Sequence, residues 1–176
     1  MLLTISGSLR QASVNTRLCA EAARVYGGPS VLGDLRLPLY DGDLEDAEGV
    51  PESVTALADQ IKAAEAIVVS TPEYNQSISG VLKNALDWVS RVKGGVWRDK
   101  PVAVMSAAAG RAGGARAQFA LRLAMTPFGP RMLTGPELML ADASNQFDDE
   151  GRLTDERYAK ALEALMQRLH DEVARG

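Results

Sequence analysis

The chain has 176 residues, enough for one domain that buries its own core without disulfide or metal staples. Hydrophobic residues make up 46% and charged residues 24%, a globular rather than a disordered balance. One Cys excludes an intrachain disulfide and a Cys-rich zinc site, one His removes most His-based metal and triad arrangements, and a net charge of −4 argues against a general nucleic-acid binder.

No stretch approaches the roughly 18 consecutive apolar residues of a membrane span. Met1 to Ile5 lacks the basic start of a signal peptide, so a cytoplasmic chain is expected. Leu2 to Ser6 reads as the first strand and breaks into the polar loop Gly7-Ser8-Leu9-Arg10-Gln11-Ala12-Ser13-Val14-Asn15. A helix then carries Leu18, Cys19, Ala22, Ala23 and Tyr26 on one face and stops at Gly27-Gly28-Pro29. A second strand lies within Ser30 to Leu35, and the acidic stretch Asp41 to Gly49 reads as a solvated loop. Pro51 suits the first turn of a helix with the stripe Val54, Leu57, Ile61 and Ala64. Ala66 to Ser70 is a continuous apolar run of the kind found in buried parallel strands.

After the loop Thr71 to Gln76, a helix carries Ile78, Leu82, Leu86 and Val89, with Trp88 beside them, as far as Gly94-Gly95. The fourth strand runs from Val102 to Ser106 behind Pro101. The glycine-rich loop Gly110 to Gly114 leads into a helix from Ala115 to Met125. A fifth strand falls within Met132 to Leu140. Thr154 is placed to cap the last helix, with Leu153 and Tyr158 as its staple and Leu162, Leu165, Leu169 and Val173 on its buried face.

Five alternating strand–helix units over residues 1–176 imply one α/β domain, a doubly wound parallel sheet with helices on both faces. The count fits a five-stranded, flavodoxin-like order better than a six-stranded Rossmann domain. A ligand then sits outside the carboxyl ends of the strands, where the loops after strands one, three and four meet.

The first of these loops is equipped for a phosphate. The N–H groups and dipole of a helix start favour an anion, Ser8, Ser13 and Asn15 can donate, and Arg10 can add a charge-assisted bond. Ser13 and Asn15 also suit an ordinary turn and helix cap. An Arg among three small polar residues favours the phosphate. The loop has neither the Gly-Lys-Ser/Thr ending of a Walker A motif nor the repeated glycines of a Rossmann fingerprint. Cys19 falls inside the helix, where a small buried hydrophobe is the plainer role than a phosphatase nucleophile. In the second loop, Thr71-Pro72-Glu73-Tyr74-Asn75, the proline stiffens the backbone and Tyr74 offers a flat face. By itself it reads as a turn. With the first loop it suits a ligand with a phosphate at one end and a planar ring at the other, the shape of flavin mononucleotide.

The two motifs together resemble the NAD(P)H-dependent FMN reductase family, which includes quinone reductases, chromate reductases and azoreductase-like enzymes. Further matches are Leu37-Pro38-Leu39-Tyr40, Gly80 to Trp88, and Gly113 to Gln118 followed by Leu121-Arg122, so that the likeness runs from about Leu2 to Leu140. The chain departs from the family where Ser79 stands in place of a common Pro, and near Ala108-Ala109, where a Ser-Pro pair is common. The resemblance implies FMN bound non-covalently, with its phosphate on Ser8, Arg10, Ser13 and Asn15, Leu9 lying in the same loop. Its ring would lie on Pro72, Glu73, Tyr74 and Asn75, with Gln76 beside them. Ser106 and the following loop to Gly110 would border the other edge. It also implies a homodimer or homotetramer.

No protein nucleophile, general base or metal ligand set stands out, so the chemistry is assigned to the flavin. NAD(P)H, as co-substrate, would stack over the exposed ring, give up hydride and leave. A quinone, flavin, azo compound or metal oxyanion would then take its place, in ping-pong order. His170 is expected to meet the helix dipole or solvent. Glu73 could act as an acid, and the preferred reading is that it turns away and orders its loop. Arg111 could meet an anionic substrate or be solvated. Trp88, Trp97 and Phe119 suit core or subunit packing. Two other readings are a flavodoxin-like electron carrier, disfavoured by the modest net charge, and a non-catalytic FMN-binding redox module.

Overall fold

The computed structural model describes residues 1–176. Six strands, β1 (Leu2–Ser6), β2 (Ser30–Gly33), β3 (Ala66–Thr71), β4 (Pro101–Ala107), β5 (Arg131–Met132) and β6 (Leu138–Leu140), form one parallel sheet. Its order is β2-β1-β3-β4-β5, with β6 also paired to β4. Six helices lie between or after them: α1 (Val14–Tyr26), α2 (Gly42–Glu48), α3 (Glu52–Ala63), α4 (Gly80–Val89), α5 (Ala115–Met125) and α6 (Glu156–Ala174), with α2 and α3 both between β2 and β3 and no α-helix between β5 and β6. No helix is long and apolar enough to cross a membrane.

The central strands are buried on both faces, which is why they read as unbroken apolar runs rather than alternations. Period-two alternation sorts their side chains into two cores. Leu3, Ile5, Ile67, Val69, Val102 and Val104 pack with the apolar stripes of α3, α4 and α5. Leu2, Ala66, Val68, Ala103 and Met105 pack with Leu18, Ala22 and Tyr26 of α1 and with Leu162, Leu165, Met166 and Leu169 of α6. The chain leaves β1 for β2 on one side and returns to β3 on the other, so a crevice opens above the carboxyl ends of β1 and β3.

The flavodoxin-like order expected from the sequence is present, with corrections at four elements. The fifth position is shared by two short strands. β5 pairs with Pro101 and Val102 and β6 with Met105 to Ala107, at opposite ends of β4. Between them lies Gly135-Pro136, and Pro136 has no N–H to give a ladder. The acidic stretch is the short helix α2, not a loop. Asp41 caps it by accepting from the Asp43 N–H, Asp43 and Glu45 favour its positive end, and Gly49 closes it. The cap of α6 is Asp155 rather than Thr154, because its carboxylate accepts from the Arg157 N–H at 2.8 Å and pairs with the Arg157 guanidinium at 2.7 Å. Leu153 and Tyr158 still pack against the second core. Pro51 precedes α3 as its cap residue instead of entering the first turn.

Candidate active-site cleft

β1 ends in Gly7, whose N–H donates to the Ser70 carbonyl at 2.8 Å. A side chain here would put Cβ 2.9 Å from Pro72 Cδ, so glycine allows the loops after β1 and β3 to touch. Ser79 joins the same contact: it caps α4 and its hydroxyl donates to the Gly7 carbonyl at 2.5 Å. Beyond Gly7 the Ser8 hydroxyl accepts from the Arg10 N–H at 3.4 Å, and the Ser13 hydroxyl caps α1 by accepting from the Thr16 N–H at 3.3 Å. The N–H groups of Val14 and Asn15, first in the helix, have no intrahelical acceptor. No acidic side chain occupies that first turn, and the Arg10 guanidinium has no partner in the protein.

Asn15 corrects an expectation. Its side chain is buried and fully engaged: Nδ2 donates to the Ala107 carbonyl at 2.9 Å, and Oδ1 accepts from the Ala107 N–H at 3.0 Å and the Ser70 hydroxyl at 2.8 Å. The amide is a strut between α1 and the ends of β3 and β4, not a free donor. Only the backbone of Asn15 can serve an anion.

The loop after β3 is a tight hairpin. Tyr74 and Ser77 exchange backbone hydrogen bonds at 3.0 and 3.1 Å, with Asn75 (φ 50°) and Gln76 (φ 65°) at the tip. Two successive left-handed residues make the turn twist as hairpins require, and Gln76 bears strain there that Asn or Gly would not. Pro72 is buried, Tyr74 is half exposed, and Asn75 and Gln76 lie at the tip, off the cleft. Glu73 turns to α5. Its Oε2 accepts from the Arg116 N–H at 3.0 Å and the Ala117 N–H at 3.4 Å, and Oε1 faces Arg116 Nη1 at 3.4 Å. It therefore caps a helix whose own cap residue, Gly114, has no side chain to offer.

The loop after β4 is held from beneath. Ser106 is fully buried, donates to the Gly113 carbonyl at 2.6 Å and accepts from Gln118 Nε2 at 2.9 Å. It braces the loop and does not line the cleft, contrary to expectation. Gly113 and Gly114 have positive φ, and a Cβ on either would strike the Met139 backbone at 2.4 Å or Ser106 at 2.7 Å. Gly110 is exposed and, unlike its neighbour Ala109, is not among the residues that line the cleft.

These loops enclose a cleft of about 410 Å³, within the usual range for small-molecule sites. Ser8, Arg10, Ser13 and Val14 line it from the loop after β1, Pro72, Glu73 and Tyr74 from the loop after β3, and Ala107, Ala108 and Ala109 from the end of β4 and the loop beyond it. Leu9 lies off this cleft, in a hollow of about 200 Å³ beside Leu32 and Arg36, which Ser8 and Arg10 also border. A further wall, not expected from the sequence, is formed by Ala143 and Ser144. Arg17 fixes that segment to α1 by lying 4.7 Å over the Phe147 ring and donating to the Asp148 carbonyl at 3.0 Å. No local motif marks it. The alanine run at the end of β4 was a visible signal, since small residues there leave room for a flat group.

Two reactive side chains lie elsewhere. Cys19 is buried and its thiol is pushed up to about 12 by that burial. His170 stacks on Tyr26 at 3.9 Å and bonds its carbonyl at 2.9 Å, at the far end of α1. The unpartnered Arg10 and the free N–H groups, with the small side chains of Ala107 to Ala109 in the same lining, fit a molecule with a phosphate and a planar ring.

Known proteins resemble this chain in sequence and in fold. The family model for NADPH-dependent FMN reductase matches residues 1–145. An NAD(P)H-dependent FMN reductase of Pseudomonas aeruginosa is 43% identical over 171 residues, covering 96% of this chain and 92% of that protein. A quinone reductase of Escherichia coli is 36% identical over 156 residues, covering 85% of this chain and 81% of its own length. Among solved structures, FerB, a flavoenzyme NAD(P)H:(acceptor) oxidoreductase from Paracoccus denitrificans, superposes with a TM-score of 0.89 at 33% identity over 99% of this chain and 97% of its own. A WrbA-like flavodoxin from Agrobacterium tumefaciens, at 15% identity and a TM-score of 0.64, shares the fold. By sequence and by fold, the chain belongs to the NADPH-dependent FMN reductase family.

Proposed function

We propose that residues 1–176 act as one FMN-dependent NAD(P)H oxidoreductase domain that passes reducing equivalents to a quinone in ping-pong order. The observation that carries this is the cleft itself, whose lining joins an unpartnered Arg10 and free helix-start N–H groups to small residues and Tyr74. Ser8, Arg10, Ser13 and the N–H groups of Val14 and Asn15 would hold the phosphate. Pro72, Glu73, Tyr74 and Ala107 to Ala109 would flank the ring. FMN, when bound, supplies the hydride acceptor that the side chains lack. The protein orients the ring and keeps one side of the cleft open to a stacking partner. NAD(P)H and the acceptor would use that opening in turn. The quinone reductase relatives support a quinone as acceptor, and dependence on NAD(P)H suits a cytoplasmic enzyme. The exposed side chains of Phe119, Leu123 and Leu39 support a homo-oligomer.

The test is a visible spectrum before and after anaerobic NADPH, followed by steady-state kinetics with a quinone. A yellow protein that bleaches promptly and gives parallel double-reciprocal lines is expected. Intersecting lines would overturn the ping-pong order. A yellow protein that does not bleach would favour the carrier or the non-catalytic module, and one that takes up no FMN would overturn the assignment of the cleft.

A further inference from the structure

Glu73 presents a puzzle for the proposed site. Hydride transfer from NAD(P)H moves two electrons and one proton, and with them one net negative charge, into the cleft. A carboxylate close to the cleft opposes that. Yet Glu73 is one of the lining residues, with its side chain only 16% exposed.

The structure shows where its charge is answered. The Glu73 carboxylate accepts from two N–H groups in the first turn of α5, where the helix carries its partial positive charge. That turn has no acidic residue of its own and no side-chain cap, so its only carboxylate partner comes from a loop 43 residues earlier in the chain. The Arg116 guanidinium stands 3.4 Å from the other oxygen. We propose that Arg116 and the α5 N-terminus form the counter-charge of Glu73 and so set how readily the cleft accepts negative charge. Arg116 is here a positioning and charge-balancing residue; it does not line the cleft. The inference rests on the ring lying between Pro72 to Tyr74 and Ala107 to Ala109.

The arrangement also explains the choice of residue. Glutamine could accept the same N–H groups but would leave the helix dipole and Arg116 as uncompensated positive charge. Glutamate without Arg116 would leave the reverse. The two substitutions must therefore act in opposite directions. Arg116 is 60% exposed, so solvent screens it and the effect is severalfold, not orders of magnitude.

The experiment compares holoenzymes of Arg116→Ala, Arg116→Lys, Glu73→Gln and the Glu73→Gln/Arg116→Ala double variant. Readouts are the two-electron midpoint potential of bound FMN, from anaerobic equilibration with a reference dye, and the FMN dissociation constant from flavin fluorescence. Arg116→Ala should lower the equilibrium constant for reduction about threefold, ~14 mV at 29.6 mV per tenfold for two electrons. Glu73→Gln should raise it by a similar factor. The double variant should return close to the parent, Arg116→Lys should match it, and added salt should shrink the differences. Unchanged potentials, or shifts of the same sign in both single variants, overturn the proposal, because loss of a merely structural tie cannot give opposite signs. Arg10→Ala separates this from failure of the site itself. If it leaves FMN affinity unchanged, the placement of FMN in the cleft is wrong; if it weakens affinity while the potentials stay fixed, only the counter-charge is wrong.

Discussion

Arg10 and Asn15 stand five residues apart in one motif, and their side chains do different work. Arg10 reaches the cleft with no protein partner, whereas the Asn15 amide is spent on Ala107 and Ser70. Arg10→Ala removes a charged donor from an exposed loop. It should weaken FMN binding roughly ten- to hundredfold, the worth of one or two charge-assisted bonds, and leave the stability of the FMN-free protein unchanged. Titration by flavin fluorescence and urea unfolding of the FMN-free protein check both halves. Asn15→Ala should do the reverse first. It strands buried groups on Ala107 and Ser70 and should cost about 2 kcal/mol or more in urea unfolding, with FMN affinity falling as the loop ends drift. The residue types of this loop and their fitness to meet a phosphate were legible. The identity of the Asn15 partners was not, because Ala107 lies 92 residues away and says nothing of a hydrogen bond in its own letter. Ser106 misled for the same reason: a serine at a strand end looks available until Gly113 and Gln118 are seen to claim it.

At the scale of elements, what could be read was periodicity, and what could not was the exact capping chemistry. The apolar stripes of α1, α3 and α4 and the continuous runs of β3 and β4 follow from burial on one stripe or on two faces. α2 has no buried residue, so periodicity could not reveal it; only the Asp41 cap and the closing Gly49 do. At α6 two candidate caps are adjacent, and the ion pair with Arg157 favours Asp155 over Thr154. That pair has a pH consequence. Arg157 hydrogen bonding, from side chain and backbone, lowers the Asp155 carboxyl from 3.8 to about 2. A carboxyl depressed on folding stabilises the native state above its unfolded value, and that contribution is lost as pH falls through the folded one. Asp155→Asn keeps a capping oxygen and loses the charge. The parent should therefore exceed Asp155→Asn in stability at pH 5, and the gap should close between about pH 4 and pH 2. Urea midpoints for both proteins across that range check it, and a gap that stays constant to pH 2 would show that the charge of Asp155 contributes nothing.

Taken whole, the molecule leaves one helix apolar on both sides. α5 buries Ala117, Leu121 and Met125 against the sheet, while Phe119 and Leu123, four residues apart and so on one outer face, are 62% and 76% exposed. Beside them Ile78, Ala120 and Ala124 line a hollow of about 520 Å³. A surface helix needs only one apolar stripe to hold its place, so the second calls for a partner. The proposed homo-oligomer would place a second copy there. Leu123→Glu tests it, because an exposed position tolerates the charge with little cost to folding, whereas a covered one does not. Light scattering after size exclusion should show the parent as an oligomer and Leu123→Glu at the mass of a single chain. The cleft offers a second reading of the same sample, since Leu123 is not among the residues that line it. FMN should thus remain bound when the copies separate. A variant that keeps the parent's mass would move the contact to another face, while one that becomes monomeric and sheds its FMN would mean that the neighbouring copy helps to hold the cofactor.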